Sequence, residues 1–244
     1  MNSGRRAWVL AIALGCALLQ GCATTAGAAA DPRDPWEGMN RKVYAFNDAL
    51  DVAVVRPVAQ AYVQAVPSFV RTGVRNFMGN LGDVWSLVNS GLQLKGQETV
   101  EGFMRVAVNS TLGLYGVLDI ATEAGMARPR EDFGQTLGHW GVAPGPYLVL
   151  PLFGPSTLRD SLAFPVDMQA SPSRFFSGSE TQAAVTVLRI TDLRAGLLQA
   201  GDAIKAASLD PYSFLRDVWL QKRENEVYDG NPPQRFNYND PDAP

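Results

Sequence analysis

The 244-residue chain reads as a mainly α protein, and three observations carry that reading. Apolar residues recur at helical spacing along most of the chain beyond residue 36, Asp-Pro pairs stand where helices should open, and alternating strand patterns are nearly absent. Apolar residues make up 46% of the chain and charged residues 18%, so there is material for a core and no sign of global disorder. A formal charge of −3 and a pI near 5.2 leave no broad basic field, which removes nucleic acid as a partner class.

From the N-terminus, Arg5 and Arg6 precede an apolar run from Ala7 to Leu19 that is broken only by Gly15. These are the proportions of an export signal, too short for a membrane span. The run closes on Leu19-Gln20-Gly21-Cys22, which looks like a bacterial lipobox, with residues 1–21 as signal peptide and Cys22 as the lipidated residue. Cys16 departs with the signal, so the mature chain keeps no thiol for a disulfide or a thiolate metal site. Ala23, rather than Asp, follows Cys22, and by likeness to lipoproteins of diderm bacteria this implies release to the outer membrane. Residues 22–33 are small and polar and read as a lipidated tether. At ~3.5 Å per extended residue it spans less than about 40 Å, so the body stays near the bilayer.

Asp34-Pro35-Trp36-Glu37 predicts a helix start, with Asp34 as N-cap, Pro35 at the first helical position and Glu37 in the first turn. Val43, Phe46, Leu50 and Val54 then form one apolar stripe, ending near Arg56-Pro57. The same period recurs in Val70, Gly73, Val74 and Phe77, in Leu81, Val84, Trp85, Val88 and Leu92, and in Val100, Phe103, Met104, Ala107 and Thr111. Ala184, Val187, Leu188, Thr191, Ala195 and Leu198 make a further stripe, and Asp210-Pro211 repeats the helix-opening chemistry. These stripes are expected to face a core. Tyr147 to Leu150 is the one short strand candidate.

Two features sit apart from an ordinary soluble bundle. Segments 100–120 and 184–198 also carry apolar residues off the stripe, among them Val106, Val117, Val185 and Ile190, so either they are central helices or one side of the body meets lipid. Residues 133–155 are dense in Gly, Pro and aromatic side chains, which reads as a packed connection or as an apolar hairpin against hydrocarbon. In the second reading Gly141 and Gly145, with Pro146 and Pro151, form the hinge or gating element.

The chain resembles the MlaA or VacJ lipoprotein family. The resemblance rests on residues 34–41 (DPWEGMNR), 44–47 (YAFN), 55–59 (VRPVA), 76–81 (NFMGNL), 109–113 (NSTLG), 133–147, 150–160 (LPLFGPSTLRD) and Asp210-Pro211-Tyr212, in order through most of the mature chain. It implies a single helical body over residues 34–230, ring-like, without a regular sheet, embedded in the inner leaflet of the outer membrane around an amphipathic channel. Mislocalised outer-leaflet phospholipid would enter there and pass to a soluble periplasmic carrier, with trimeric porins as membrane companions. Residues 231–244 are Asn- and Pro-rich, are expected to be disordered, and carry no assigned role. A head group needs a polar partner, and Arg outnumbers Lys seventeen to four, so Arg41, Arg56, Arg105 and Arg159 are the candidate contacts.

Two other classes are open. An anchored hydrolase of phospholipid or cell wall would have to work through His139, the single histidine; there is no G-x-S-x-G elbow, and Ser156 reads as a helix N-cap. A structural lipoprotein that scaffolds porins is the third reading. No cofactor, metal site or catalytic residue is expected, and no G-x-x-x-x-G-K-[ST] loop supplies a motor.

Overall fold

A computed structural model describes residues 31–233, so the signal peptide, Cys22 and most of the tail lie outside the described residues. Helix α1 spans Glu37–Leu50 and runs through a π-helical turn, Asp51–Val55, into α2, Arg56–Ala65. Helices α3 (Ser68–Leu92) and α4 (Gly96–Thr111) follow, then the short α5 (Ile120–Glu123) and α6 (Phe133–His139). A hairpin of β1 (Tyr147–Leu150) and β2 (Gly154–Thr157) precedes α7 (Leu158–Gln169). The chain closes through a 3₁₀ turn, Pro172–Phe175, into α8 (Ser179–Gly196), α9 (Leu198–Ala207) and α10 (Pro211–Val227). Helix α3 packs along α4, α6 along α7, and α2 along α8.

The expected mainly α class holds, and the strand candidate pairs antiparallel with residues just beyond it, Tyr147 opposite Thr157 and Leu150 opposite Gly154. Asp210 caps α10 as expected, accepting from the Tyr212 N–H with Pro211 in the first turn. Three local expectations are corrected. Asp34 does not cap α1; its carboxylate turns inward, 1% exposed as a residue, and the helix starts at Glu37 without a side-chain cap. The first stripe does not end at Arg56-Pro57. The π turn relaxes the backbone just before Pro57, which has no N–H to donate, and the helix continues to Ala65. The cap of α7 is Thr157 rather than Ser156, because the Thr157 hydroxyl accepts from the Asp160 N–H.

The largest correction concerns direction. Among the described residues only seven apolar side chains are buried, against twenty-two polar or charged ones. In α3 the buried face is Asn80, Asp83, Ser86, Asn89 and Ser90, while Phe69 is 77% exposed. In α4 it is Gly102, Arg105 and Asn109, with Val100, Phe103 and Met104 outside, and in α8 it is Thr191 and Asp192, with Val187, Ile190 and Leu193 outside. The apolar stripes thus mostly face away from the body. Hydrogen bonds make the polar interior tolerable, since most of its buried groups find a partner that water would otherwise supply, the Ser90 hydroxyl being an exception. Asn89 donates to the Trp85 carbonyl and accepts from the Thr136 hydroxyl, and Arg105 meets Asp119, Thr122 and the Met126 carbonyl. No helix among the described residues is long and apolar enough to cross a membrane.

The apolar core is small and aromatic: Tyr147, Val149 and Tyr212, with Tyr44 and Trp219 packed against them. Tyr212 meets Tyr44 and Tyr147 edge-on at ring separations of 5.7 and 6.4 Å. The start of the described chain is pinned onto this core. Tyr212 donates its hydroxyl to Asp34 at 2.5 Å, Asn40 donates to Asp34 at 2.8 Å, and Arg216 pairs with Asp31 at 3.2 Å.

Candidate functional site

The polar interior encloses a central cavity of about 630 Å³. Helix α3 supplies Arg75, Gly79, Asp83 and Ser86 to its wall, the 128–135 segment supplies Arg128, Glu131, Asp132 and Gln135, and α7 supplies Asp160, Phe164 and Asp167. Helices α8 and α10 close it with Arg189, Asp192 and Leu193, and with Trp219, Lys222, Arg223 and Glu226.

The Asp83 carboxylate accepts from Arg128 at 2.9 Å, and Arg128 can lie across α3 because position 79 is glycine; a Cβ there would stand 2.1 Å from the guanidinium. Burial pushes the Asp83 carboxyl up in spite of Arg128 and Arg105 nearby. Asp132 caps α6 by accepting from the Gln135 N–H and takes both terminal nitrogens of Arg223. Arg223 also reaches Asp160 at 3.0 Å. Burial opposes ionisation of both carboxyls, yet the fork of Arg223 wins and holds them below the usual carboxylate range.

A second cavity, about 750 Å³, lies between the 138–145 loop and α10, bordered by Arg33, Val142, Thr157, Arg159, Leu220 and Tyr228 among others. Arg223 borders this cavity as well as the central one. A third, about 370 Å³, shares residues 128–131 with the central cavity and has Glu98, Glu101 and Asp229 on its far side. The carboxylates of Glu98, Glu131 and Asp229 converge, and the ammonium of Lys95 lies among them, 3.0 Å from Glu131 and 2.5 Å from Asp229.

The structure separates the four arginines singled out by sequence. Arg41 pairs with Glu37 and Asp210 and covers the Tyr212 ring at 4.4 Å. Arg56 pairs with Asp202 at 2.6 Å. Arg105, 1% exposed, is committed to Asp119 and its neighbours. Arg159 bonds to Asp160 and to the Val142 carbonyl and borders the loop-side cavity.

Gly141 adopts φ +87° as the residue closing α6: its N–H donates to the Gly138 carbonyl and that of Val142 to Leu137, the paired bonds of a Schellman end. Gly145 has φ +66°, and a Cβ there would stand 3.1 Å from Leu158. The carbonyls of Pro144 and Pro146 accept the N–H groups of Arg159 and Leu158, so this loop is hydrogen-bonded to the first turn of α7. Pro151 opens the turn between β1 and β2. His139 is exposed in the last turn of α6, edge-on to Trp140 at 5.6 Å, and Ser156 is buried, donating to the Thr157 carbonyl and accepting from Ser161.

Sequence reasoning missed Arg128, Arg189 and Arg223, and gave no weight to the polar face of α3. The signal was present: Asn80, Asp83, Ser86 and Asn89 follow one another every three residues, a stripe as regular as the apolar one.

A helical body that turns most of its large apolar side chains outward around a charged interior inverts the arrangement of an ordinary water-soluble bundle and marks the class of protein with a large apolar contact surface. A model of the MlaA lipoprotein family matches residues 32–226, and the chain belongs to that family. It is 38% identical over 221 residues to the intermembrane phospholipid transport system lipoprotein MlaA of Escherichia coli K12, covering 88% of this chain and 86% of that protein. An uncharacterized protein of Rickettsia bellii is 36% identical over 196 residues, covering 80% of this chain and 76% of that protein. A solved structure from work on the structural basis for maintenance of bacterial outer membrane lipid asymmetry superposes with a TM-score of 0.70 at 34% identity, covering 80% of this chain and 98% of that one.

Proposed function

We propose that this chain is an outer-membrane lipoprotein in intermembrane phospholipid transport: anchored through Cys22, it withdraws mislocalised phospholipid from the outer leaflet through its polar interior. The lipid then passes to a soluble periplasmic carrier, with a trimeric porin as membrane neighbour. The observation that carries this reading is the inverted arrangement, apolar outside and a 630 Å³ charged cavity inside. Relatives named for intermembrane phospholipid transport support it.

The physical logic is that a head group crossing an apolar layer needs a polar lining, whereas the acyl chains need only an apolar surface beside it. Polar walls and an apolar exterior supply both without any chemistry on the lipid. The positive φ of Gly141 and Gly145 supports reading the 141–151 segment as the hinge or gating element, with Pro146 and Pro151 stiffening it. Of the four arginines proposed from sequence, Arg159 has the position for a head group, at the loop-side cavity. All four are already engaged with carboxylates, Arg159 with Asp160, and would have to exchange them.

The test is made in a diderm host that lacks its own copy. Wild-type chain is expected to lower surface-exposed phospholipid to the level of the parent strain, whereas Cys22→Ser is expected to leave it high. Equal surface phospholipid with and without the wild-type chain would sink the proposal.

A further inference from the structure

We infer that Arg189, on the α8 wall of the central cavity, is the point that recognises lipid phosphate, taking the phosphodiester of a glycerophospholipid as its counter-ion. This rests on the reading of the cavity as a lipid route.

Among the described residues, the other cations that line this cavity, Arg130 aside, already have anions, and two of them, Arg75 and Lys222, are largely exposed as well. Arg75 meets Asp192 at 3.2 Å, Arg128 meets Asp83, Arg223 meets Asp132 and Asp160, and Lys222 meets Glu226. Arg130 is exposed, where water screens its charge. Arg189 is half-buried and has no carboxylate or carbonyl partner within the described residues. Its natural helical neighbour, Asp192, lies three residues on and within reach of an i,i+3 pair, but it is held instead by Arg75 and the Tyr62 hydroxyl. Burial depresses the Arg189 pKa, yet a guanidinium stays charged at any physiological pH. The cavity wall therefore keeps a half-buried cation without a paired anion, an arrangement that costs stability and is relieved when an anion arrives.

The surroundings select the anion. A phosphodiester carries one negative charge and offers two oxygens to the planar guanidinium. A phosphate dianion would bring a second charge into a wall that already holds Asp83, Asp160, Asp167 and Asp192. Phe164, Met78 and Leu193 line the same cavity and give the glycerol and upper acyl region an apolar footing, which inorganic phosphate cannot use.

The experiment titrates the full-length protein in non-ionic detergent with dihexanoyl phosphatidylcholine, read through the fluorescence of tryptophan, Trp219 being in the wall. Arg189→Gln is expected to weaken binding by about tenfold or more, Arg189→Lys by less, and Arg130→Gln by under about twofold. Because Arg189 is unpaired in the lipid-free protein, Arg189→Gln is expected to leave Tm unchanged or raise it. Inorganic phosphate is expected not to displace the lipid. Unaltered binding by Arg189→Gln at full Tm overturns the inference and leaves the transport reading standing, as does phosphate competing as well as the lipid. If wild-type protein binds no phospholipid at all, the inference and the reading beneath it both fall.

Discussion

Arg223 gives one terminal nitrogen to each oxygen of Asp132, at 2.7 Å in both cases, and thereby ties the last helix to the cap of α6. The same guanidinium bonds to Asp160 in the first turn of α7, so one side chain on α10 holds the starts of two other helices. Replacing it with Met should leave the buried carboxylate of Asp160 and the partly exposed one of Asp132 without this partner, with a loss of up to about 3–5 kcal/mol. Chemical denaturation in detergent measures this, and a loss under about 1 kcal/mol, the scale of an exposed pair, would show that solvent already screens the cluster.

Asn40 is fully buried and occupies both ends of its amide: it donates to Asp34 and to the Tyr147 carbonyl, and accepts from the Val149 N–H. Asn40→Ala should cost roughly 2–4 kcal/mol, because at least two buried partners lose their only replacement for water. Hydrogen exchange at the Val149 amide should rise in step, and an unchanged exchange rate would refute the assignment.

Asp119 accepts from the Thr122 hydroxyl and the Asn109 amide and pairs with Arg105. Burial works to raise its pKa, but these donors hold it at about 2. Because the folded value lies below the unfolded one, the stabilisation is present in full above the ordinary carboxylate range and is lost as pH falls from about 4 to about 2. Denaturation midpoints measured across that interval should drop in the wild type and drop less in Asp119→Asn.

Gly134 and Gly138 make room for side chains rather than for a neighbouring backbone. A Cβ at 138 would stand 2.6 Å from the Arg159 guanidinium and 2.8 Å from Val227. Gly138→Ala should therefore destabilise by about 1–3 kcal/mol through overpacking. A melting temperature equal to the wild type would show that Arg159 yields freely.

Much of this architecture was legible before any coordinates. Helix periods, the Asp210 cap and the short strand at Tyr147 are local matters, set by side-chain spacing and by which groups can satisfy a helix end. The misreadings are local conflicts that tertiary partners resolved. Asp34 abandons the helix end because Tyr212, Asn40 and Arg216, distant or adjacent in the chain, offer it three donors inside. Ser156 yields the cap of α7 to Thr157, the last residue of β2, whose hydroxyl accepts the Asp160 N–H.

What the amino-acid order determined by itself is a set of two-faced helices and the residues that open them. Which face turns inward was left to the assembled body. A hydrophobic period measures the separation of apolar from polar residues and is blind to sign, because reversing every helix about its axis preserves the pattern. Only the tertiary structure, by bringing Asp83 to Arg128, Asp132 to Arg223 and Asp192 to Arg75, pairs the charged faces with one another and leaves the apolar ones on the outside.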